Sequence, residues 1–244
     1  VLPTYNEAGN IARLVADLRR VDPSLHLLIV DDNSPDGTGG IADDLVRATE
    51  NVAVLHRPGK LGLGSAHVAG LDRAVDGGYQ TVVTMDCDYT HLPADVPKLL
   101  EALESQQADV AAGSRYGHAA GVRDWPVWRQ MITKTAHFCT VNLLGIPFDA
   151  TSAFRAYRTS ALKRVPYRTI RGDGYSFIFE MLFTCVQEGL RIAEVPMEMP
   201  IRQAGQSKIS RIEIVRALVT LMRLSSARAA RQLKLLTSSP RSVG

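Results

Sequence analysis

The feature that most constrains the fold is an alternation. Short apolar, β-branched runs (Leu25 to Val30, Asn51 to Leu55, Thr81 to Met85) are separated by stretches whose aliphatics recur at helical spacing, as Ile11, Leu14, Val15 and Leu18 do. Such a run reads as a buried strand and such spacing as an amphipathic helix. Strands and helices in regular order predict an α/β domain with a mainly parallel sheet and helices on both faces. Ligands of such sheets bind outside the carboxyl ends of the strands. The loops at those ends are therefore where chemistry is to be sought.

Those loops carry carboxylates and glycines. Val1-Leu2-Pro3 reads as a strand end entering Thr4-Tyr5-Asn6-Glu7, and the second strand closes in Asp31-Asp32-Asn33-Ser34-Pro35-Asp36-Gly37-Thr38, a run of turn formers. After the third strand, Arg57 to Ala66 holds Lys60-Leu61-Gly62-Leu63-Gly64 and enters a helix expected over 65–75. The run Thr81 to Met85 ends in Asp86-Cys87-Asp88. Side chains alternate along a strand, so Asp86 and Asp88 share a side. Two hard oxygen ligands there suit Mg²⁺ or Mn²⁺, which share their other positions with water and substrate phosphates. Convergence of Glu7, Asp31 or Asp32, and Asp86 with Asp88 on one crevice predicts a nucleotide site.

Competing motifs fit less well. Gly62-x-Gly64 lacks the Gly-x-Gly-x-x-Gly spacing and the loop is not a P-loop. Ile29-Val30-Asp31-Asp32-Asn33 could open a receiver domain, but that fold is about half this length and has no place for the glycine loop. Asp86-Cys87-Asp88-Tyr89-Thr90 matches the Asp-x-Asp-x-Thr of haloacid-dehalogenase-like phosphatases, yet there the motif ends the first strand and here it follows three βα units.

Composition sets outer limits. With 244 residues and 45% hydrophobic content a sizeable core is available. Cys87, Cys139 and Cys185 are far apart and form no Cys-x-x-Cys, which predicts neither a disulfide framework nor a zinc site. No apolar run reaches the roughly 18 residues of a spanning helix, and no secretory signal opens the chain. Val1-Leu2-Pro3 lacks an initiator Met, so residues upstream are expected, with room there for a membrane-anchor domain or subunit. The net charge of +3 is local: Arg211 to Leu236 holds six basic residues and one acid, leaving the rest at −2. That argues against nucleic acid and for one basic helix.

Eight segments, taken in order, resemble the inverting glycosyltransferases of family 2 with the GT-A fold, and within them the dolichol-phosphate (polyprenol-phosphate) mannose synthases. They are Pro3-Thr4-Tyr5-Asn6-Glu7, Asp31 to Thr38, Lys60 to Ala66, Met85 to Asp88, His91-Leu92-Pro93, Gly113-Ser114-Arg115-Tyr116, Gly174-Tyr175-Ser176-Phe177 and Gly205-x-Ser207-Lys208. The resemblance implies that Pro3, Tyr5, Glu7, Asp32, Lys60, Gly62 and Asp86 hold the sugar nucleotide, GDP-mannose, and that Asp86 and Asp88 hold the metal on its diphosphate. It implies further that Arg115, Arg129, Arg202 and Lys208 receive the phosphate of a polyprenyl monophosphate, with Asp88, Arg115, Arg129 and Arg202 as the catalytic set. Fixed guanidiniums suit phosphate recognition, and Arg155 belongs to the same group of candidates.

The remaining expectations follow from that frame. Residues 117–124 are glycine-rich, a candidate lid; Trp125 and Trp128 suit a lipid-facing edge, and core packing accounts for most aliphatics from Phe138 to Ile146. Asp149-Ala150-Thr151-Ser152-Ala153-Phe154-Arg155 resembles the family's Asp-Pro-Thr-Ser-Gly-Phe-Arg, with a Cβ at Ala153 where the family has glycine. His91 reads as a structural residue rather than a base. The domain is expected over 1–210, a basic amphipathic helix over 211–236 with Ile212, Val215, Leu218, Val219, Met222 and Leu233 near one stripe, and a disordered tail over 237–244. The helix would lie on an anionic bilayer, with the enzyme peripheral at the cytoplasmic face, or would pack on the domain or form a dimer contact. A donor such as UDP-glucose, or a non-catalytic nucleotide-binding role, are the alternatives.

Overall fold

In the computed structural model, residues 1–116, 125–200 and 211–238 are described. Chain order is β1 (Leu2–Thr4), α1 (Ile11–Val21), β2 (Leu27–Asp31), α2 (Thr38–Ala48), β3 (Val52–His56), α3 (Leu63–Asp76), β4 (Thr81–Thr84) and α4 (Val96–Ser105). Then follow β5 (Val110–Ser114), α5 (Val127–Cys139), β6 (Arg155–Arg158), α6 (Thr159–Leu162), α7 (Tyr175–Gln187), β7 (Ile192–Pro196) and α8 (Arg211–Ser238). A π-helical stretch, Thr140–Leu144, continues α5.

The strands β1, β2 and β3 pair in parallel, Leu2 opposite Ile29 and Leu27 opposite Val52. A second group runs β4-β6-β5-β7. Val1 joins them: its N donates to Val83 O at 2.7 Å and its O accepts from Met85 N at 3.2 Å. That is a parallel bridge, so the strands form one surface in the order β3-β2-β1-β4-β6-β5-β7. β6 alone among them is reversed, antiparallel to both β4 and β5. Periodicity did not predict β6. Four residues with Arg at each end give no alternation to read.

The pleat sorts neighbouring residues to opposite faces. Ala111 and Ala156 join the cluster that holds Ile11, Leu14 and Leu18 of α1, Ala42 of α2 and Leu99 and Leu103 of α4. Their neighbours Val110 and Tyr157 join the other, with Leu71 of α3, Ala161 of α6 and Ile178 and Met181 of α7. This is the expected sheet between two helical layers, each layer burying the apolar stripe of its helices. A third cluster seats α8 on α7, where Leu224 packs with Leu182 and Phe183.

Helix α7 begins four residues before the expected Phe179, which puts Gly174 at its N-cap. There α3 and α7 touch: a Cβ at Gly64 would stand 2.8 Å from Phe177 Cβ and 3.1 Å from Gly172 O. Neither atom is the end of a flexible side chain. For Gly64→Ala, overpacking of about 1–3 kcal/mol outweighs a helix-propensity gain of at most about 1 kcal/mol. The expected result in urea denaturation is a net loss of about 1 kcal/mol; stability equal to wild type would show that the two helices yield at this point.

Candidate active site

The loops after β1 and β2 are laced together before they meet anything else. Asn6 N donates to Ser34 Oγ at 3.0 Å, Glu7 N to Thr38 Oγ1 at 2.9 Å, and Ala8 N to Asp36 Oδ2 at 3.0 Å. Asn6 and Asn33 take positive φ, 58° and 55°, a conformation asparagine tolerates. Asp31 is buried and accepts from Thr4 Oγ1, Ser34 N and Ser34 Oγ. Asp31 and Asp36 thus hold the loops.

Asp32 has a different setting. Its Oδ2 accepts Leu61 N and Gly62 N, both at 3.0 Å. Its Oδ1 lies 2.7 Å from Arg57 Nη1, an ion pair whose partners are both buried. Arg57 also donates to Ser65 Oγ at 2.5 Å, reaching the first turn of α3. One carboxylate therefore ties the glycine loop to the ends of β2 and β3. Burial raises its pKa above the ordinary carboxylate value, against the opposing charge of Arg57 and the two N–H bonds. Opposite, Lys60 Nζ sits 4.3 Å from the centre of the Tyr5 ring, so the first and third loops close on each other through a cation–π contact.

The acidic pair follows β4. Asp88 Oδ1 accepts Thr90 N at 3.0 Å and Thr90 Oγ1 at 2.6 Å. The next residue, Tyr89, has φ 61°, unusual for a bulky side chain. Its hydroxyl donates to Asp17 Oδ2 at 2.7 Å and its ring lies beneath Arg13, so α1 holds the reversal in place. Asp86 N donates to His91 Nδ1 at 3.1 Å, which leaves the proton of the neutral ring on Nε2. His91 is buried and stacked on Phe154 at 5.0 Å, and burial pushes its pKa down to about 4. It is a neutral strut under the Asp86 backbone at physiological pH.

A cavity of about 560 Å³ gathers these loops. Pro3, Tyr5, Glu7, Asp32, Lys60, Gly62, Asp86 and Asp88 all line it, so eight predicted positions, scattered between Pro3 and Asp88, meet at one place. Its far wall was not anticipated: Asp173, Gly174 and Tyr175 before and at the start of α7, and Ile212, Glu213 and Arg216 from α8. The Gly-Tyr-Ser-Phe motif marked the first group, whereas residues of α8 carry no local sign of which loop they will face. Arg57 was also missed, since a lone Arg after a strand reads as surface. Among the described residues no group of three or more His, Cys, Asp or Glu side chains is set to hold a metal. Two carboxylates with Glu7 nearby still fit a cation whose other ligands are phosphate and water.

The cations are dispersed. Arg115 is held by Asp149, its Nε 2.7 Å and its N 3.2 Å from Asp149 Oδ2, with its guanidinium 5.4 Å from the centre of the Trp125 ring. It is not part of the cavity lining. Trp125 is buried and donates to Met199 O at 3.1 Å, which corrects the expectation of a lipid-facing pair. The indole N–H needed a partner and found one in the interior. Trp128 is exposed. Arg155 is also no phosphate ligand: it is buried and donates to Ile178 O and Ala150 O. Of the apolar run from Phe138 to Ile146, Leu144 and Ile146 are buried in the core, while Phe138 and Leu143 are exposed. Arg129 lies on α5 with its side chain outside the described set; Arg202, Lys208, the candidate lid 117–124 and tail residues 239–244 fall outside the described residues. Ala153 is buried, and no helix among the described residues is long and apolar enough to cross a membrane.

Residues 1–165, which hold the acidic crevice at the carboxyl edge of the sheet and the glycine loop before α3, match the model of glycosyl transferase family 2. The chain belongs to that family and is a glycosyltransferase. It is 39% identical over 212 residues to a polyprenol monophosphomannose synthase of Mycolicibacterium smegmatis, covering 86% of this chain and 80% of that one. It is 38% identical over 224 residues to an undecaprenyl-phosphate mannosyltransferase of Micrococcus luteus, covering 91% of each. Among solved structures, glucosyl-3-phosphoglycerate synthase of Mycobacterium tuberculosis with Mn²⁺, UDP and phosphoglyceric acid superposes with a TM-score of 0.68 at 21% identity, over 92% of this chain and 76% of that one. Its complex with Mn²⁺, UDP-glucose and phosphoglyceric acid gives 0.65 at 21% identity, over 92% and 78%. That similarity establishes the fold.

The Asp149–Arg115 pair yields a prediction with a sign. Burial raises the Asp149 pKa, but the charge of Arg115 and the bonds from Arg115 N and Thr151 outweigh it, leaving the carboxyl below its ordinary value. A folded pKa below the unfolded one contributes stability above about pH 4 that is lost as pH falls through the folded value. Asp149→Asn leaves Arg115 uncompensated, an expected loss of about 3–5 kcal/mol in chemical denaturation at pH 7. Its stability should also fall less steeply than wild type below about pH 4; parallel acid limbs would show that the pair is not linked to folding.

Proposed function

We propose that this chain transfers mannose from GDP-mannose to a polyprenyl monophosphate with inversion at the anomeric carbon. The observation that carries the reading is the meeting of the Pro3 to Glu7 loop, the Lys60 to Gly62 loop and the Asp86–Asp88 pair in one cavity. It is supported by a chain 38–39% identical to two enzymes named for polyprenyl-phosphate mannosyl transfer. In this reading Tyr5, Glu7, Asp32 and Lys60 surround the nucleoside, Gly62 lets backbone approach it, and Asp86 faces the diphosphate.

Mg²⁺ or Mn²⁺, when bound, neutralises charge on the leaving diphosphate, and Asp86 and Asp88 are the residues that would hold it. The rest is done by the chain. A phosphate monoester has a second pKa of about 6, so near neutral pH its oxygen is already a nucleophile. That oxygen bonds to C1 of the mannose as the bond from C1 to the diphosphate oxygen breaks, and GDP leaves with the electron pair. No proton needs to be removed from the acceptor, which agrees with a site whose buried His91 is neutral and engaged through Nδ1. The work left is to hold two anions in line. Arg115, fixed by Asp149, is assigned to the acceptor phosphate, together with Arg129, Arg202 and Lys208. The domain is assigned to 1–210, and α8, seated on α7, is assigned to bringing the enzyme to the membrane that carries its acceptor.

The test is a transfer assay with a short polyprenyl phosphate, Mg²⁺ or Mn²⁺, and GDP-mannose beside UDP-glucose and UDP-N-acetylglucosamine. Lipid-linked sugar is expected from GDP-mannose; product from a UDP-sugar alone would overturn the donor assignment and keep the site. In Asp88→Asn the carboxamide oxygen keeps the bonds from Thr90, so the fold should survive by circular dichroism while turnover falls at least about 100-fold. Turnover within about tenfold of wild type would remove Asp88 from the catalytic set.

A further inference from the structure

The cavity is poor in positive charge. Of the described residues that line it, six are carboxylates and two, Lys60 and Arg216, are cations. Lys60 is already engaged, its Nζ 4.3 Å from the centre of the Tyr5 ring. A divalent ion held by Asp86 and Asp88 would balance only the charge of those two carboxylates, so a sugar nucleotide entering beside them needs a further cation to offset its diphosphate. Arg115 is not part of the lining. Arg216 is the remaining candidate among the described residues that line the cavity.

Arg216 also differs from the interior arginines in how it is held. Arg57 and Arg115 each make an ion pair at 2.7 Å with a buried carboxylate, and Arg155 is spent on two carbonyls. Arg216, in the second turn of α8, has a half-exposed side chain whose Nη1 stands 3.4 Å from Asp173 Oδ2 and 3.3 Å from Glu213 Oε1. Contacts this long and this open to water are weak. Phosphate oxygens that accept from the guanidinium fork at about 2.7–2.9 Å make the stronger bond and displace them.

The anchor decides where that guanidinium stands. Gly174 N donates to Asp173 Oδ1 at 2.8 Å, and a Cβ at Gly62 would overlap the same oxygen, so Asp173 is wedged between the start of α7 and the glycine loop. Arg216 is thereby set near the entry to α3, a helix of 14 residues capped at Gly62. The partial positive charge of a helix N-terminus favours the same anion. We propose that Arg216 is a ligand of the donor's diphosphate, exchanging Asp173 and Glu213 for phosphate oxygens as the nucleotide enters. It then carries part of the charge that gathers on the departing nucleoside diphosphate. This rests on the reading of the cavity as the nucleotide site.

The experiment titrates GDP, and separately guanosine, into wild-type protein, Arg216→Gln, Arg216→Lys and Arg231→Gln, with Mn²⁺ and without polyprenyl phosphate, and repeats the series with UDP and uridine. Both contacts of Arg216 are ion pairs open to water and of little worth, so circular dichroism and the urea midpoint should match wild type. Arg216→Gln is expected to weaken GDP about tenfold or more while guanosine binds as it does to wild type. Arg216→Lys keeps the charge and loses the fork, and should recover part of that loss. Arg231, on the same helix, donates to Gln187 Oε1 at 3.0 Å and is outside the lining, so Arg231→Gln should bind GDP as wild type does. Unchanged GDP affinity in Arg216→Gln overturns the assignment; a raised KM for polyprenyl phosphate in that variant would then move the residue to the acceptor. Equal weakening of GDP and guanosine, or the same loss in Arg231→Gln, overturns it too and leaves α8 as a wall of the cavity. The expected pattern with UDP and uridine, where GDP does not bind, keeps Arg216 and replaces the donor base. Binding of no nucleotide removes the reading of the cavity itself and the assignment with it, whereas the other outcomes leave that reading standing.

Discussion

The end of the cavity beside the glycine loop depends on the buried carboxylate of Asp32. Two backbone N–H groups of the glycine loop and the guanidinium of Arg57 converge on it. A buried charge is tolerated only when paired and hydrogen-bonded, and removing one member of such a pair leaves the other exposed to the full cost of desolvation. Burial raises the Asp32 pKa for the same reason, against the pull of Arg57 and the two N–H bonds. Because Asp32 follows β2 while Arg57, Leu61 and Gly62 lie between β3 and α3, this one carboxylate sets the relative height of two loops. The cation–π contact of Lys60 with Tyr5 then brings the β1 loop into the same frame.

Around this frame the carboxylates divide by task. Asp31, Asp36 and Asp149 are turned to backbone and side-chain donors and act as internal ties. Asp86 and Asp88 reach the cavity because Tyr89, in a conformation its side chain disfavours, reverses the chain just beyond them. The strain is held by α1 through Asp17 and Arg13, an element far from Tyr89 in sequence and packed in the layer beneath. Rigid scaffold and strained loop together keep two like charges near each other, against their mutual repulsion.

The second half of the chain works by burying what the first half exposes. Arg155, in the reversed strand β6, and Trp125 look like surface recognition residues in isolation, yet both end in the interior with carbonyl partners. Val215, Leu218, Val219 and Met222 of α8 and the start of α5, with Val127, Trp128, Met131 and Ile132, do the opposite and remain outside. Apolar area left in water on this scale is the usual mark of an interaction surface rather than of a core.

The sequence alone determined the layered α/β architecture, because hydrophobic periodicity is a local property and the order of strand and helix restricts topology to few choices. It also determined that the loops of Glu7, Asp32, Lys60, Gly62, Asp86 and Asp88 would share an edge, since parallel strands send all their carboxyl ends the same way. Only the tertiary structure decided which of those acids are ties and which face the cavity, for that depends on donors thirty residues away, such as Leu61 N for Asp32. It alone revealed β6, the burial of Trp125 and Arg155, and the reach of Glu213 and Arg216 into the cavity. These are contacts between segments far apart in the chain, and the identity of a long-range partner leaves no period or spacing in the residues that meet it.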